Sequence, residues 1–207
     1  MFDVKQLNGE VVAILRGIEA HEVVAHATLM WNAGLRYLEV PLNTASGLDS
    51  LQALVKAAPT RVHIGAGSVV RTEQVDSIQK MAVGYALAPW LDASVMRHAI
   101  GCGIAFIPGV ATPTEAWQAQ TLGAAALKAF PAAELGMGFA KALTSVSICL
   151  PLMAVGGVGL SATPHFFDQG YSSVGMGSTL YKAGQTLEQT RRNVAELLET
   201  WVPPNRP

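Results

Sequence analysis

VVAILRGIEAHEVVAHATLMWNAGLRYLEVPLN, residues 11–43, holds one full period of the fold. It opens on a β-branched and apolar run, Val11–Arg16. A segment follows in which Val23, Val24, Ala27, Met30 and Trp31 share one face at helical spacing, and a second strand-like run, Tyr37–Leu42, closes it. The helix is expected to begin after Glu19 and to stop at Gly34, a residue suited to a C-terminal cap. Two strands joined through a helix lie parallel, because a hairpin turn cannot make that connection.

The period repeats along the chain. Further strands are expected at His63–Val69, Tyr85–Pro89, Ala105–Val110, Ala126–Pro131, Leu152–Val158 and Ser172–Ser178, which makes eight βα units with starts roughly 20 to 26 residues apart. Thr72, Asp92, Thr112 with Pro113, and Ser161 are the expected N-caps of later helices. Eight such units either close into a barrel or remain an open doubly wound sheet. RGIEAH after the first strand contains no GxGxxG turn, which argues against the dinucleotide-binding open sheet, and a (β/α)₈ barrel can be as short as about 200 residues. The expectation is an α/β fold, one TIM-barrel domain over residues 1–207, with VPPNRP at 202–207 as an irregular tail.

Composition narrows the partners. Half of the 207 residues are hydrophobic and 14% are charged, which suits a large core, and a net charge of -1 leaves no basic excess for nucleic acid. No apolar stretch reaches the roughly 18 residues of a membrane span, and MFDVKQLNGE has no basic region leading into an apolar one, so a cytoplasmic protein is expected. Cys102 and Cys149 form no CxxC pair and are expected to be small core residues. The five histidines, His21, His26, His63, His98 and His165, show no ligand spacing, so no metal site is expected.

In a barrel the chemistry sits at the C-terminal ends of the strands, where polar residues interrupt apolar runs. Lys128 in ALKAFP sets an amine among apolar neighbours, where desolvation favours the neutral, nucleophilic form; the same pattern suits a lysine whose stem packs while its ammonium reaches a carboxylate. Spacing alone leaves both open. Glu39 in YLEVPLN is a carboxylate in an apolar strand, on the same side as Pro41 and Asn43, and could move protons beside Lys128 or serve as an ion-pair partner of Arg16 or Lys128. Gly156 and Gly157 in VGGV, with Gly177 and Ser178 in GMGS, end the seventh and eighth strands, where barrels hold phosphate on backbone N–H groups. Ser68 in GAGSV could hold a carboxylate, or could merely turn the chain into a helix.

These segments together resemble the 2-keto-3-deoxy-6-phosphogluconate and 2-dehydro-3-deoxy-6-phosphogalactonate aldolase family from about Val12 to Trp201. The likeness rests on AILRGI, LEVPLNT, IGAGSV, the strand ending in Pro89, IPGVATPTEA, LKAFPA, AVGGV and GMGSTLY, all in the family's order. It implies Lys128 as the Schiff-base lysine and Glu39 as the proton-transfer carboxylate. Arg16 becomes a substrate ligand and Gly157 and Ser178 phosphate contacts; Asn43, Ser68, Pro89 and Val155 are further expected substrate-binding residues, and Gly156 and Gly177 further expected phosphate contacts. It further implies a phosphorylated 2-keto sugar acid as substrate, no metal or organic cofactor, and a homotrimer. PLN at 41–43, where gluconate enzymes usually carry TLR, and Val155, where they usually carry threonine, point to the galactonate branch. Ser68 in place of threonine and Ala88 before Pro89 depart from the common pattern. The competing readings are a gluconate or 4-hydroxy-2-oxoglutarate aldolase, a phosphate-binding epimerase or isomerase in which Lys128 only balances charge, and a non-catalytic sugar-phosphate sensor.

Overall fold

Every strand of the computed structural model runs parallel to its neighbours; the structure describes residues 2–81, 83–136 and 138–204. Strand β1 (Glu10–Ile14) leads to α1 (Val23–Asn32), β2 (Tyr37–Pro41) to α2 (Gly47–Ala57), β3 (His63–Gly67) to α3 (Thr72–Gln79), and β4 (Tyr85–Leu87) to α4 (Ala93–Gly101). Strands β5 (Ala105–Ile107) and β6 (Gly109–Val110) precede α5 (Pro113–Thr121), and β7 (Leu127–Ala129) precedes the short α6 (Ala132–Leu135) and α7 (Phe139–Ser145). Strand β8 (Leu152–Val155) leads to α8 (Thr163–Asp168), and β9 (Ser173–Met176) to α9 (Leu187–Thr200).

The hydrogen-bonded order is β5-β4-β3-β2-β1-β9-β8-β7-β6. Its two ends are joined by the single residue Pro108, so the ring closes through what the sequence reads as one strand, Ala105–Val110. Pro108 has no N–H to donate and splits that strand, while its carbonyl still accepts from Lys128 N at 2.9 Å. The eightfold βα plan therefore holds, with the fifth strand in two pieces.

Most strands stop short of their expected ends, for a common reason. Gly17, Ser68, Gly156 and Gly157 take positive φ angles just beyond β1, β3 and β8, and Pro89 and Pro131 follow β4 and β7, so the ladder breaks where the chain must turn into a loop. The helix starts fare unevenly. Asp92 caps α4 by accepting from Ser94 N and Val95 N, and Thr112 and Glu115 form a capping box ahead of Pro113. Thr72 lies inside α3 rather than at its cap, because Arg71 N donates to Gln74 Oε1 one position earlier. Ser161 belongs to a 3₁₀ turn, Leu160–Ala162, and caps no α-helix. Helix α1 starts at Val23, after a turn at Glu19–Glu22, and buries Val23, Ala27 and Met30; Val24 and Trp31 are only partly covered.

Two apolar shells follow from the strand alternation. Val11, Ala13 and Leu15 face the helices, whereas Val12 and Ile14 face the barrel interior with Tyr37, Tyr85, Leu87, Ile107, Met153 and Val155. The N-terminal mouth is plugged by Phe2 and the 3₁₀ turn Val4–Leu7, and His63 stacks on Tyr37 at 5.2 Å. The C-terminal segment closes over that end. Trp201 Nε1 donates to Gly9 O at 2.8 Å and Pro203 packs on Gly34, so 202–204 is irregular as expected while 205–207 lies outside the described residues. Cys102 packs against the core, but Cys149 is exposed, contrary to expectation, because it sits in the turn before β8.

Candidate active site

The period-two alternation that buries Tyr37 also carries Glu39 into the barrel, and β7 does the same for Lys128 between Ala126 and Phe130. Glu39 is 1% and Lys128 5% exposed. Burial pushes the Glu39 carboxyl up and the Lys128 ammonium down; their mutual attraction opposes both shifts, and the Arg16 cation lowers both groups. Burial dominates in each, so Lys128 gives up its proton more readily than an ordinary lysine. One oxygen of the carboxylate, Oε2 of Glu39, is buried without a hydrogen-bond partner among the described residues, an acceptor left open at the end of the barrel where chemistry is expected.

Space for that carboxyl comes from β3. Glu39 pairs in register with Gly65, and Pro41 with Gly67. A Cβ on Gly67 would stand 1.7 Å from Glu39 Oε1, and one on Gly65 would stand 2.2 Å from the Tyr85 ring. The two glycines of IGAG are thus vacant interior positions into which neighbouring strands send Glu39 and Tyr85. Gly67→Ala is expected to displace the carboxyl and lower kcat by about tenfold or more with little change in KM, as a proton-transfer group moved by an ångström requires. Steady-state kinetics check it, with circular dichroism reporting the fold. An unchanged kcat in a folded variant would remove Glu39's position as a constraint.

Lys128 Nζ lies 4.9 Å from the centroid of the Phe130 ring. Phe130 forms one wall of a cavity of about 140 Å³ whose other walls include Arg16, Val155, Gly156, Gly157 and Ser178. Arg16 Nη1 donates to Asn43 Oδ1 at 2.7 Å, so Asn43 orients that arginine across the mouth. Gly156 (φ +95°) and Gly157 (φ +75°) make a turn that other residues would strain, and a Cβ on Gly157 would meet Ala133 Cβ at 2.4 Å. Among the described residues, the N–H groups of Gly157, Val158, Ser178 and Thr179 donate to no backbone acceptor. Thr179 Oγ1 ties the two loops together by donating to Val158 O at 3.0 Å. N–H groups without a backbone acceptor, lining one cavity with the Arg16 cation, make an anion cradle.

The expected site residues are thus partly assembled. Glu39 and Lys128 share the interior; Arg16, Val155, Gly156, Gly157, Gly177 and Ser178 line the adjoining cavity, and Asn43 reaches it through Arg16. Ser68 stands buried at the end of β3 with φ +54°, an unusual backbone state for serine that holds it beside the strand carrying Gly67. Pro89 does not line the cavity; its carbonyl abuts Gly109, where a Cβ would come within 2.1 Å. Phe130, Gly67 and Thr179 are additions. Phe130 was detectable as Lys128's same-side neighbour two residues on, whereas Gly67 acts through the register of β2 on β3 and Thr179 only through the loop contact. A larger polar cavity of about 600 Å³, lined by Ser161, Lys182, Gln185 and Asn193, opens against α9 and shares Ser178 and Thr179, but neither Glu39 nor Lys128 lines it.

A parallel barrel with a buried lysine–carboxylate pair beside an anion cradle is an arrangement that suits amine catalysis. The profile described as "Aldolase: KDPG and KHG aldolase" matches residues 3–197, and the chain belongs to this family. It is 38% identical to 2-dehydro-3-deoxy-6-phosphogalactonate aldolase of Escherichia coli over 92% of this chain and 94% of that protein. It is 34% identical to a probable 2-dehydro-3-deoxy-6-phosphogalactonate aldolase of Rhizobium meliloti, over 92% of this chain and 91% of the relative. A solved structure described as native KDPGal superposes with a TM-score of 0.87 at 38% identity, covering 92% of this chain and 93% of that one. No helix among the described residues is long and apolar enough to cross a membrane.

Proposed function

We propose that the chain, acting as one domain, cleaves a six-carbon 2-keto-3-deoxy-6-phospho sugar acid to pyruvate and D-glyceraldehyde 3-phosphate, with the galactonate-derived epimer preferred. The observation that carries this is the burial of Lys128 with Glu39 inside the barrel, which lowers the lysine's pKa, next to the cradle at Gly157 and Ser178.

The neutral Lys128 amine attacks the ketone carbon of the substrate and gives a carbinolamine, which loses water to form an iminium. The iminium draws the electron pair of the bond between carbons 3 and 4 as the hydroxyl on carbon 4 gives up its proton. Glyceraldehyde 3-phosphate leaves and an enamine remains. Protonation of that enamine at carbon 3 and addition of water release pyruvate and return the amine. Glu39, whose Oε2 has no partner among the described residues, relays these protons. The Arg16 guanidinium, held by Asn43, pairs with substrate negative charge, and the N–H groups near Gly157 and Ser178 hold the phosphate. Ser68, buried at the end of β3, bounds the carboxylate side, and Gly156 and Gly177 let backbone approach the anion. No metal or organic cofactor enters these steps. A cytoplasmic homotrimer fits the family likeness, with Trp90 and Trp117 available on the outer surface, where they are more than half exposed.

The epimer preference rests on Val155. Its side chain is buried at the end of β8 and reaches the cavity, and its Cγ2 would lie 2.8 Å from a Cβ on Gly175. Valine offers shape alone, so a substrate hydroxyl directed at it would lose a hydrogen bond, at a cost of roughly 1 to 3 kcal/mol. Pyruvate release is expected to show kcat/KM for the galactonate-derived substrate equal to or above that for the gluconate epimer, and Val155→Thr should move the ratio toward gluconate. A tenfold native preference for the gluconate epimer, about 1.4 kcal/mol in transition-state binding, would assign the chain to the other branch and leave the lysine chemistry standing. No release from either substrate would favour a sensor or an isomerase.

A further inference from the structure

On the outer surface, away from the barrel mouth, α3 and α4 bring together an imidazole, a thiol and a carboxylate. His98 and Cys102 are four residues apart, on the last turn of α4 and at its C-cap, and therefore project from one side. Asp76 projects from α3, the helix packed beside it. His98 Nε2 and Asp76 Oδ1 are 2.7 Å apart, and one donor atom from each of the three residues lies within 4.8 Å of the other two. It is the one such His, Cys and carboxylate group among the described residues. The histidines show no ligand spacing in sequence because the third donor comes from the preceding helix.

We propose that Asp76, His98 and Cys102 form a binding site for a divalent transition-metal ion of the zinc type, clipping α3 to α4. A mixed imidazole, thiolate and carboxylate donor set suits Zn²⁺, which accepts nitrogen, sulfur and oxygen and takes four ligands tetrahedrally. With metal–ligand distances of about 2.0 to 2.3 Å, tetrahedral donors stand roughly 3.3 to 3.8 Å apart. The Asp76–His98 pair must open by roughly half an ångström and the thiol draw in by at most about one, so side-chain rotation suffices without movement of the helices. Asp76 is free to make that change: its side chain is 56% exposed, and His98 is its one salt-bridge partner among the described residues. Cys102 packs against the core, which fixes the deepest donor, and coordinates as the thiolate, its proton passing to solvent. The fourth position faces outward and takes water. Until metal arrives, the carboxylate holds the imidazole ring in the orientation that coordination requires.

Co²⁺ titration of the untagged protein tests the site. A near-ultraviolet thiolate-to-cobalt absorption band is expected, displaced by Zn²⁺, absent from Cys102→Ser and retained in Cys149→Ser, which removes the other free thiol. Zn²⁺ at about a hundred times its Kd should raise the thermal midpoint by roughly 5 to 10 °C. His98→Ala should abolish that rise and Asp76→Asn reduce it, with turnover unchanged in each. A Co²⁺ band that survives Cys102→Ser, or no band and no rise in the wild type, would leave a plain surface ion pair and overturn the proposal.

Discussion

Lys128→Met is expected to lose pyruvate release by about 10⁴-fold or more while the fold is kept. The size follows from the chemistry, since without the amine no iminium forms and cleavage between carbons 3 and 4 has no electron sink. The fold should survive because methionine matches the length of the lysine stem and removes a charge from a site that is 5% exposed, where an ammonium is poorly solvated. The contact with the Phe130 ring becomes a sulfur–aromatic one. Glu39 loses the cation that holds its carboxyl down, so its pKa rises further, and uptake of a proton lowers the cost of burying it without a partner. Turnover and thermal melting measured together check this. A melting midpoint near the wild type with activity within tenfold of it would show Lys128 to be a structural lysine.

Glu39→Gln is the second large effect, expected at about 10² to 10⁴-fold in kcat with KM little changed, the range over which a positioned acid–base group contributes. The amide keeps the shape of the carboxyl in the pocket left by Gly67 but cannot relay a proton. It also removes the anion that holds the Lys128 pKa up, so that pKa falls further below that of an ordinary lysine. Protonation of the amine disables it, and activity drops as pH falls through the Lys128 pKa. A lower pKa therefore moves the acidic limb of the kcat/KM profile to lower pH. Near-normal turnover would reduce Glu39 to an ion-pair partner, and the opposite displacement would show that its charge does not hold the Lys128 pKa up.

Much of this was legible in the sequence because the two dominant signals are local. Alternation within Val11–Leu15 and Tyr37–Pro41 gives the strands and sends Glu39 inward, and the spacing of the βα units gives the eightfold plan. The relation between Glu39 and Lys128 is not local: β2 and β7 meet only across the barrel, so their proximity depends on closure. The end of the seventh expected strand was overrun because Gly156 and Gly157 read as part of an apolar run, whereas their positive φ angles end the ladder. Pro108 was visible but its effect was not, since a proline inside Ala105–Val110 could equally have stood at an edge. Asn43 was read as a lost charge, and the hydrogen bond to Arg16 shows it instead orienting the cation that remains. The role of Gly67 needs the register Pro41↔Gly67, which sequence does not contain. Cys149 was misplaced for the same kind of reason, since apolar neighbours in SICLPL hide a turn that faces solvent.

The most direct measurement is reductive trapping. Incubation with pyruvate and borohydride should add one three-carbon unit to the chain, and peptide mass mapping should find it on Lys128, since a reduced imine no longer hydrolyses. An adduct on Lys141 or Lys182 instead, or none under conditions in which the enzyme turns over, would contradict the Schiff-base account.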